Sequence, residues 1–181
     1  MAIRLIRRDG DDILKKKCKP ITEITPAVIG LLDDMVETLR HVDAMGLAAP
    51  QVGALKRIAV IEDEEKLYEL INPEIKDRDG NQMCNEACLS VPGVCGDIDR
   101  PFKVTISAMD RQGETIELTV DDYLASAFCH EIDHLDGVLF TDNAKALQPI
   151  SEHDLRKRKQ LKKNKSLGGG AGKGKGKGKR K

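Results

Sequence analysis

Tryptophan is absent from these 181 residues, and only Tyr68, Tyr123, Phe102, Phe128 and Phe140 supply aromatic rings. That scarcity argues against a domain that stacks bases on an aromatic platform. No run approaches the roughly 18–20 consecutive apolar residues of a membrane span, and the N-terminus MAIRLIRRDG has no apolar signal-peptide core. A cytoplasmic chain of bacterial type, away from any membrane, is the expectation. The five cysteines are an odd number in a chain long enough to fold without staples, so no disulfide framework is expected. Acidic residues are missing altogether after Asp154, whereas 13 of the 30 basic residues lie between Arg156 and Lys181. The net charge of zero therefore divides into a body of −13 and a tail of +13.

With 40% apolar and 33% charged residues, the length fits one ordinary domain. We expect it to span 1–165, followed by a Gly/Lys-rich tail over 166–181 that has nothing to bury and no reason to fold. A basic arm of this kind is a handle for polyanions such as RNA, and salt would weaken it.

Within the body, Thr25-Pro26 has the look of an N-cap and first helical residue, and Val28, Leu32, Met35 and Leu39 recur at helical spacing. One amphipathic helix to about Val42 follows from this. Strand-like runs come at Arg57 to Ile61, at Leu70-Ile71, and as a hairpin pairing Lys103 to Met109 with Glu114 to Val120. Asp121 and Asp122 can cap a second helix that stops near Gly137, and a third, basic helix is expected from Pro149 to Lys163. Strands clustered between helices, without β-α alternation, favour an α+β fold.

The strongest motif is His130-Glu131-Ile132-Asp133-His134, of the form H-E-x-x-H, inside the second helix. Residues four apart share a helix face, so both imidazoles can reach one metal while Glu131 can reach a water beside it. A third protein ligand is needed. The metzincin pattern would place a histidine where this chain has Phe140, which excludes that class. A thermolysin-like enzyme would use a later glutamate, and only Glu152 is available. Upstream, Cys88 lies in Asn85-Glu86-Ala87-Cys88-Leu89-Ser90, but spacing alone leaves Cys84, Cys88 and Cys95 as equal candidates. A further stretch, Gly46-Leu47-Ala48-Ala49-Pro50-Gln51, combines small residues and a fixed proline with a neutral donor, Gln51.

Taken together and in this order, GLAAPQ, EACLS and HEIDHLDG resemble the peptide deformylase family, metallohydrolases that remove the N-formyl group from nascent polypeptides. The resemblance covers the body and stops before the Gly/Lys tail. It implies an α+β fold with antiparallel strands packed around a central metal-bearing helix, between an N-terminal amphipathic helix and a C-terminal basic one. It makes Cys88, His130 and His134 the metal ligands and Glu131 the general acid/base. Gln51 and the backbone N–H of Leu89 would stabilise the oxyanion, and Gly46 would pair with substrate backbone. For an apolar pocket that takes the substrate methionine, Leu89, Phe128, Ile132 and Met45 are the candidate walls. The metal implied is one divalent ion, natively Fe²⁺, with Zn²⁺, Ni²⁺ or Co²⁺ substituting. The partners implied are N-formylmethionyl nascent peptides, with the basic tail free to meet the ribosome or rRNA. A rival reading is a non-catalytic relative that keeps the metal for structure. Three positions depart from the family pattern: Ala44 and Ala87 stand where glycine is usual, and Cys129 where glutamine is. Alanine would be strained if either backbone position needed positive φ, and Cys129 would adjoin a ligand.

Overall fold

The computed structural model describes residues 2–63 and 66–150. The boundary expected at residue 165, the tail and nearly all of the expected basic helix lie outside the described residues. Pro149, the expected start of that helix, instead closes a strand.

In chain order the elements are α1 (Pro26–His41), β1 (Gly46–Ala48), β2 (Ile58–Asp63), β3 (Lys66–Asp79), β4 (Gln82–Cys88), β5 (Val91–Arg100), β6 (Lys103–Met109), β7 (Thr115–Asp121), α2 (Asp122–Leu135), α3 (Phe140–Asn143) and β8 (Ala146–Pro149). Single 3₁₀ turns lie at Asp12–Lys15 and Ala49–Val52. The strands make two antiparallel sheets, one ordered β1-β2-β3-β6-β7 and the other β4-β5-β8. Among the described residues no helix is long and apolar enough to cross a membrane.

At β2 and the start of β3 the larger sheet is covered on both faces, which is why β2 reads as a continuous apolar run. Successive residues alternate between the faces. Ile58, Val60 and Ile71 join Val28, Leu32, Met35 and Leu39 of α1 in one cluster. Their neighbours Ile61 and Leu70 join Phe128, Cys129 and Ile132 of α2 in another. The smaller sheet meets the other side of α2 through the hydrogen bonds of Glu86 and Arg100.

The α1 helix and the β6–β7 hairpin form as expected. Pro26 opens α1, although Thr25 caps it with backbone geometry alone. The hairpin turn is held by Asp110, whose Oδ1 accepts from the N–H groups of Gln112 and Glu114, both at 2.9 Å. Asp121 sits at the N-cap of α2 without a side-chain cap bond. Gln82 instead ties down the first turn, its Nε2 donating to the Asp122 carbonyl at 2.7 Å. At the other end Gly137 adopts φ +77°, and a Cβ there would lie 2.7 Å from the carbonyl oxygen of Lys15. Both the left-handed backbone and the close approach demand glycine. Gly137→Ala is therefore expected to lower stability by about 2 kcal/mol, read as a lower urea midpoint at unchanged m-value. An unchanged midpoint would contradict the packing described.

Candidate metal centre

The β4–β5 corner, the 3₁₀ turn after β1 and the buried face of α2 converge on one point. Cys88 ends β4, with Cys84 and Glu86 on the same buried side of the strand. His130 and His134 project from α2 one turn apart, their rings 4.9 Å between centroids and nearly perpendicular. The ligand atoms of Cys88, His130 and His134 all lie within 4.8 Å of one another, and Cys88 Sγ is 3.2 Å from His134 Nε2. A thiolate and two imidazoles at this spacing suit a divalent transition metal.

Each ring nitrogen has a defined role. His130 Nδ1 donates to Glu86 Oε2 at 2.8 Å, which leaves Nε2 as the free lone pair. The Glu86 carboxylate also accepts from Ser126 Oγ at 2.8 Å, and from Arg100 Nε at 2.7 Å and Nη2 at 2.9 Å. Arg100 Nη1 extends the network to Asp133 Oδ2 at 2.6 Å. Burial alone would raise the Glu86 pKa, but the His130 and Arg100 donors overcome it and hold the carboxyl down at about 2. Burial opposes a proton on His130, yet Cys88, Glu86 and Glu131 lift its pKa well above the ordinary range. Burial and the neighbouring His130 push His134 well below it. One sulfur and two imidazole donors thus meet at a point where a buried carboxylate orients one of the rings, a donor set that suits a divalent cation and the first test that a metal fits here.

An orphaned polar atom gives the second test. Among the described residues, buried Glu131 Oε2 has no hydrogen-bond partner, as fits a carboxylate that would meet a water at the metal; His134 Nδ1 has none either, but the nitrogen of that ring that lies at the thiol is Nε2. Burial pushes the Glu131 pKa up to about 7. Its side chain crosses directly over Gly46, so closely that any Cβ there would collide with the carboxylate.

Gln51 is 2% exposed and its amide orientation is fixed. Oε1 accepts from the Ala48 N–H at 2.8 Å, which turns Nε2 toward Cys88 Sγ at 3.5 Å and Ser90 Oγ at 3.3 Å. The Ser90 N–H lies 3.4 Å from the same sulfur. Leu89, between them, occupies the two-residue turn joining β4 to β5. Met45 packs against the α2 side of the sheet and Leu89 against the α1 side. Phe128 and Ile132, which share the Met45 cluster, are buried core residues.

The structure thus gathers Gln51, Cys88, Leu89, His130, Glu131 and His134, with Gly46 beneath Glu131. Of the rival cysteines, Cys84 and Cys95 are buried outside the cluster of ligand atoms. Ala44 and Ala87 are not among the residues at positive φ, so neither substitution strains the chain. Cys129 faces the apolar cluster under the larger sheet, where burial pushes its thiol up to about 11, and it is a core residue. Exposed His41 ends α1, while Glu152 and His153 lie outside the described residues. Sequence reasoning missed Glu86, Ser90, Arg100, Ser126 and Asp133. Glu86 lies two residues before Cys88 on β4, a strand-face relation available in principle, whereas Ser90 reaches the sulfur from the turn that follows. Nothing local marks Arg100.

Known proteins carry the same arrangement of elements. The sequence model for polypeptide deformylase matches residues 3–149. A peptide deformylase of Acetivibrio thermocellus is 49% identical over 163 residues, covering 90% of this chain and 95% of that one. One from Caldanaerobacter subterraneus subsp. tengcongensis is 50% identical over 161 residues, covering 89% and 100%. The crystal structure of peptide deformylase from Thermotoga maritima matches with a TM-score of 0.78 at 35% identity, covering 81% of this chain and 100% of that one. The peptide deformylase from Synechococcus elongatus in complex with actinonin matches with a TM-score of 0.75 at 36% identity, covering 87% and 85%. The family model, the identity over most of the chain and the fold agree, and the chain belongs to the polypeptide deformylase family.

Proposed function

We propose that this chain is a peptide deformylase, hydrolysing the formyl amide of N-formylmethionyl nascent peptides to formate and a free amino terminus. The observation that carries the reading is the convergence of Cys88, His130 and His134 beside a buried glutamate and an oriented amide. Cys88, His130 and His134 are the ligands in this proposal. A divalent metal bound by them would supply Lewis acidity and a water acidified towards neutrality. We take Fe²⁺ as the native ion, with Zn²⁺, Ni²⁺ or Co²⁺ able to replace it, because thiolate and imidazole accept all four.

Glu131 takes the proton from the attacking water and returns it to the leaving amine. A carboxyl lifted by burial toward neutral pH is suited to both transfers. As water adds to the formyl carbon, the negative charge that develops on the formyl oxygen is met by Gln51 Nε2 and the Leu89 N–H, donors of a kind whose removal costs roughly 3–4 kcal/mol each. Gly46 lies on the edge strand of the larger sheet. The Met45 carbonyl accepts from Glu62 on β2, so by strand alternation the backbone groups of Gly46 face the open edge, where an extended substrate can pair. Met45 stands beside that edge as a wall for the substrate methionine. The formyl group is small, and a close-fitting cleft rejects larger acyl groups. A purely structural metal site would need neither Glu131 nor Gln51 beside it, which weighs against the non-catalytic reading.

The reading extends to place and partner. We assign the chain to a bacterial-type cytoplasm, where nascent peptides emerge at the ribosome. The +13 segment after Asp154 is assigned to ribosome or rRNA contact through phosphate neutralisation.

Glu131→Gln is expected to retain metal while losing about 10²–10⁴-fold in turnover, measured as formate release from a formyl-Met peptide. An unchanged rate would remove Glu131 from the mechanism. Cys88→Ser is expected to lose metal, because a neutral hydroxyl is a poor ligand beside two imidazoles; full metal content by elemental analysis would point to another thiol. Deletion of residues 166–181 is expected to weaken salt-sensitive co-sedimentation with ribosomes, and unaltered association would end that assignment.

A further inference from the structure

The N-terminal segment before α1 has almost no regular structure and none of the motifs, yet it touches all three of them. The Arg7 N–H donates to the Gln51 carbonyl at 2.7 Å, and the Asp9 N–H donates to the Ser90 carbonyl at 2.7 Å. The Cys18 N–H donates at 2.8 Å to the carbonyl of Leu135, the residue after His134. A buried or half-buried side chain accompanies each bond. Ile6 packs on the cluster holding Ala49 and Val52, which flank Gln51. Leu14, 1% exposed, lies in the cluster that contains Cys88 itself. Cys18 packs with Ala48 and Leu135. The Arg7 guanidinium also lies over Gly53, where a Cβ would come within 3.1 Å of Nε.

Resting on the deformylase reading above, we propose that residues 7–18 are a positioning strap that sets the distances between the oxyanion donor, the thiolate corner and the histidine helix. Gln51, Ser90 and Leu135 belong to segments far apart in sequence, and the backbone carbonyl of each accepts from an N–H of the same strap. The Asp9 bond acts on the sulfur through one residue, because the Ser90 that it holds directs its own N–H at Cys88 Sγ. The Arg7 bond acts likewise on Gln51, whose Nε2 must point at the reacting oxygen to within a few tenths of an ångström. Arg7 and Asp9 are thus positioning residues that act through their main chains.

Backbone chemistry makes the inference testable. Residues 8–11 form a turn in which the Asp11 N–H donates to the Arg8 carbonyl at 3.0 Å, and Gly10 has φ +97°. Asp9 therefore stands at the second position of a turn whose third residue has positive φ, where proline is favoured. Asp9→Pro removes the N–H and keeps the turn. The expected result is a Zn²⁺ dissociation constant, by competition with a chromophoric chelator, raised about tenfold, while Asp9→Ala, which keeps the N–H, binds as the parent does. Arg7→Pro should lower kcat at unchanged KM and unchanged metal content, and Arg7→Ala should restore the parent rate. Parent-like Zn²⁺ affinity in Asp9→Pro, or a drop in melting temperature in both proline variants with metal affinity and kcat intact, would overturn the proposal. The Zn²⁺ measurement needs no substrate, so it stands or falls separately from the assigned reaction.

Discussion

The buried carboxylate of Glu86 is the constraint on which the site depends. It receives donors from His130, Ser126 and two nitrogens of Arg100, and these four contacts fasten β4 and β5 to α2. An unpaired charge in that position would cost several kcal/mol, whereas the satisfied network is stable and directional. The direction matters most. By accepting a hydrogen bond from His130 Nδ1, Glu86 fixes which nitrogen faces Cys88 and at what angle, and Arg100 passes the same restraint to Asp133 on the next turn of the helix. Cys88 Sγ and the two imidazoles are close because two strands of the smaller sheet and a helix are locked around one carboxylate.

Legibility in the sequence followed local chemistry. α1 and the β6–β7 hairpin were readable because their burial is one-sided and their periods are regular. H-E-x-x-H was readable because a helix alone places its two histidines. β4 and β5 were not, since the inward positions of β4 are Cys84, Glu86 and Cys88, and β5 carries Pro92, Gly93, Gly96 and Asp97. A strand whose buried face holds a charge partner and a thiol does not alternate in hydrophobicity. β3 was seen only at Leu70-Ile71 because its pairing with β6 shifts register after Ile71 and its far half is exposed. The choice of Cys88 over Cys84, which shares its face of β4, and over Cys95 on β5 depends on which position along the strands lies opposite His130 and His134, a tertiary fact that residue spacing does not contain.

The positions that depart from the family pattern are absorbed without loss of geometry. Ala44 packs on the α1 cluster, Ala87 pairs with Cys95 across β4 and β5, and Cys129 fills the core beneath the larger sheet. Gly46 is a different case, because the Glu131 side chain occupies the space that any side chain at 46 would need. In the proposed mechanism, the glycine that would open the edge strand to substrate is therefore the same one that lets the proposed proton carrier lie over it. The N-terminal strap shows a related economy, with one irregular segment bonding to Gln51, Ser90 and Leu135.

The central claim is that these residues form a working, metal-dependent deformylase centre. Its most direct test is formate release from a formyl-Met-Ala-Ser peptide by anaerobically purified protein, with metal content determined on the same sample. Anaerobic handling protects a thiolate ligand from oxidation. Turnover that is lost on chelation and returns with Fe²⁺ is the predicted result. Stoichiometric metal in a folded protein that releases no formate would contradict the account.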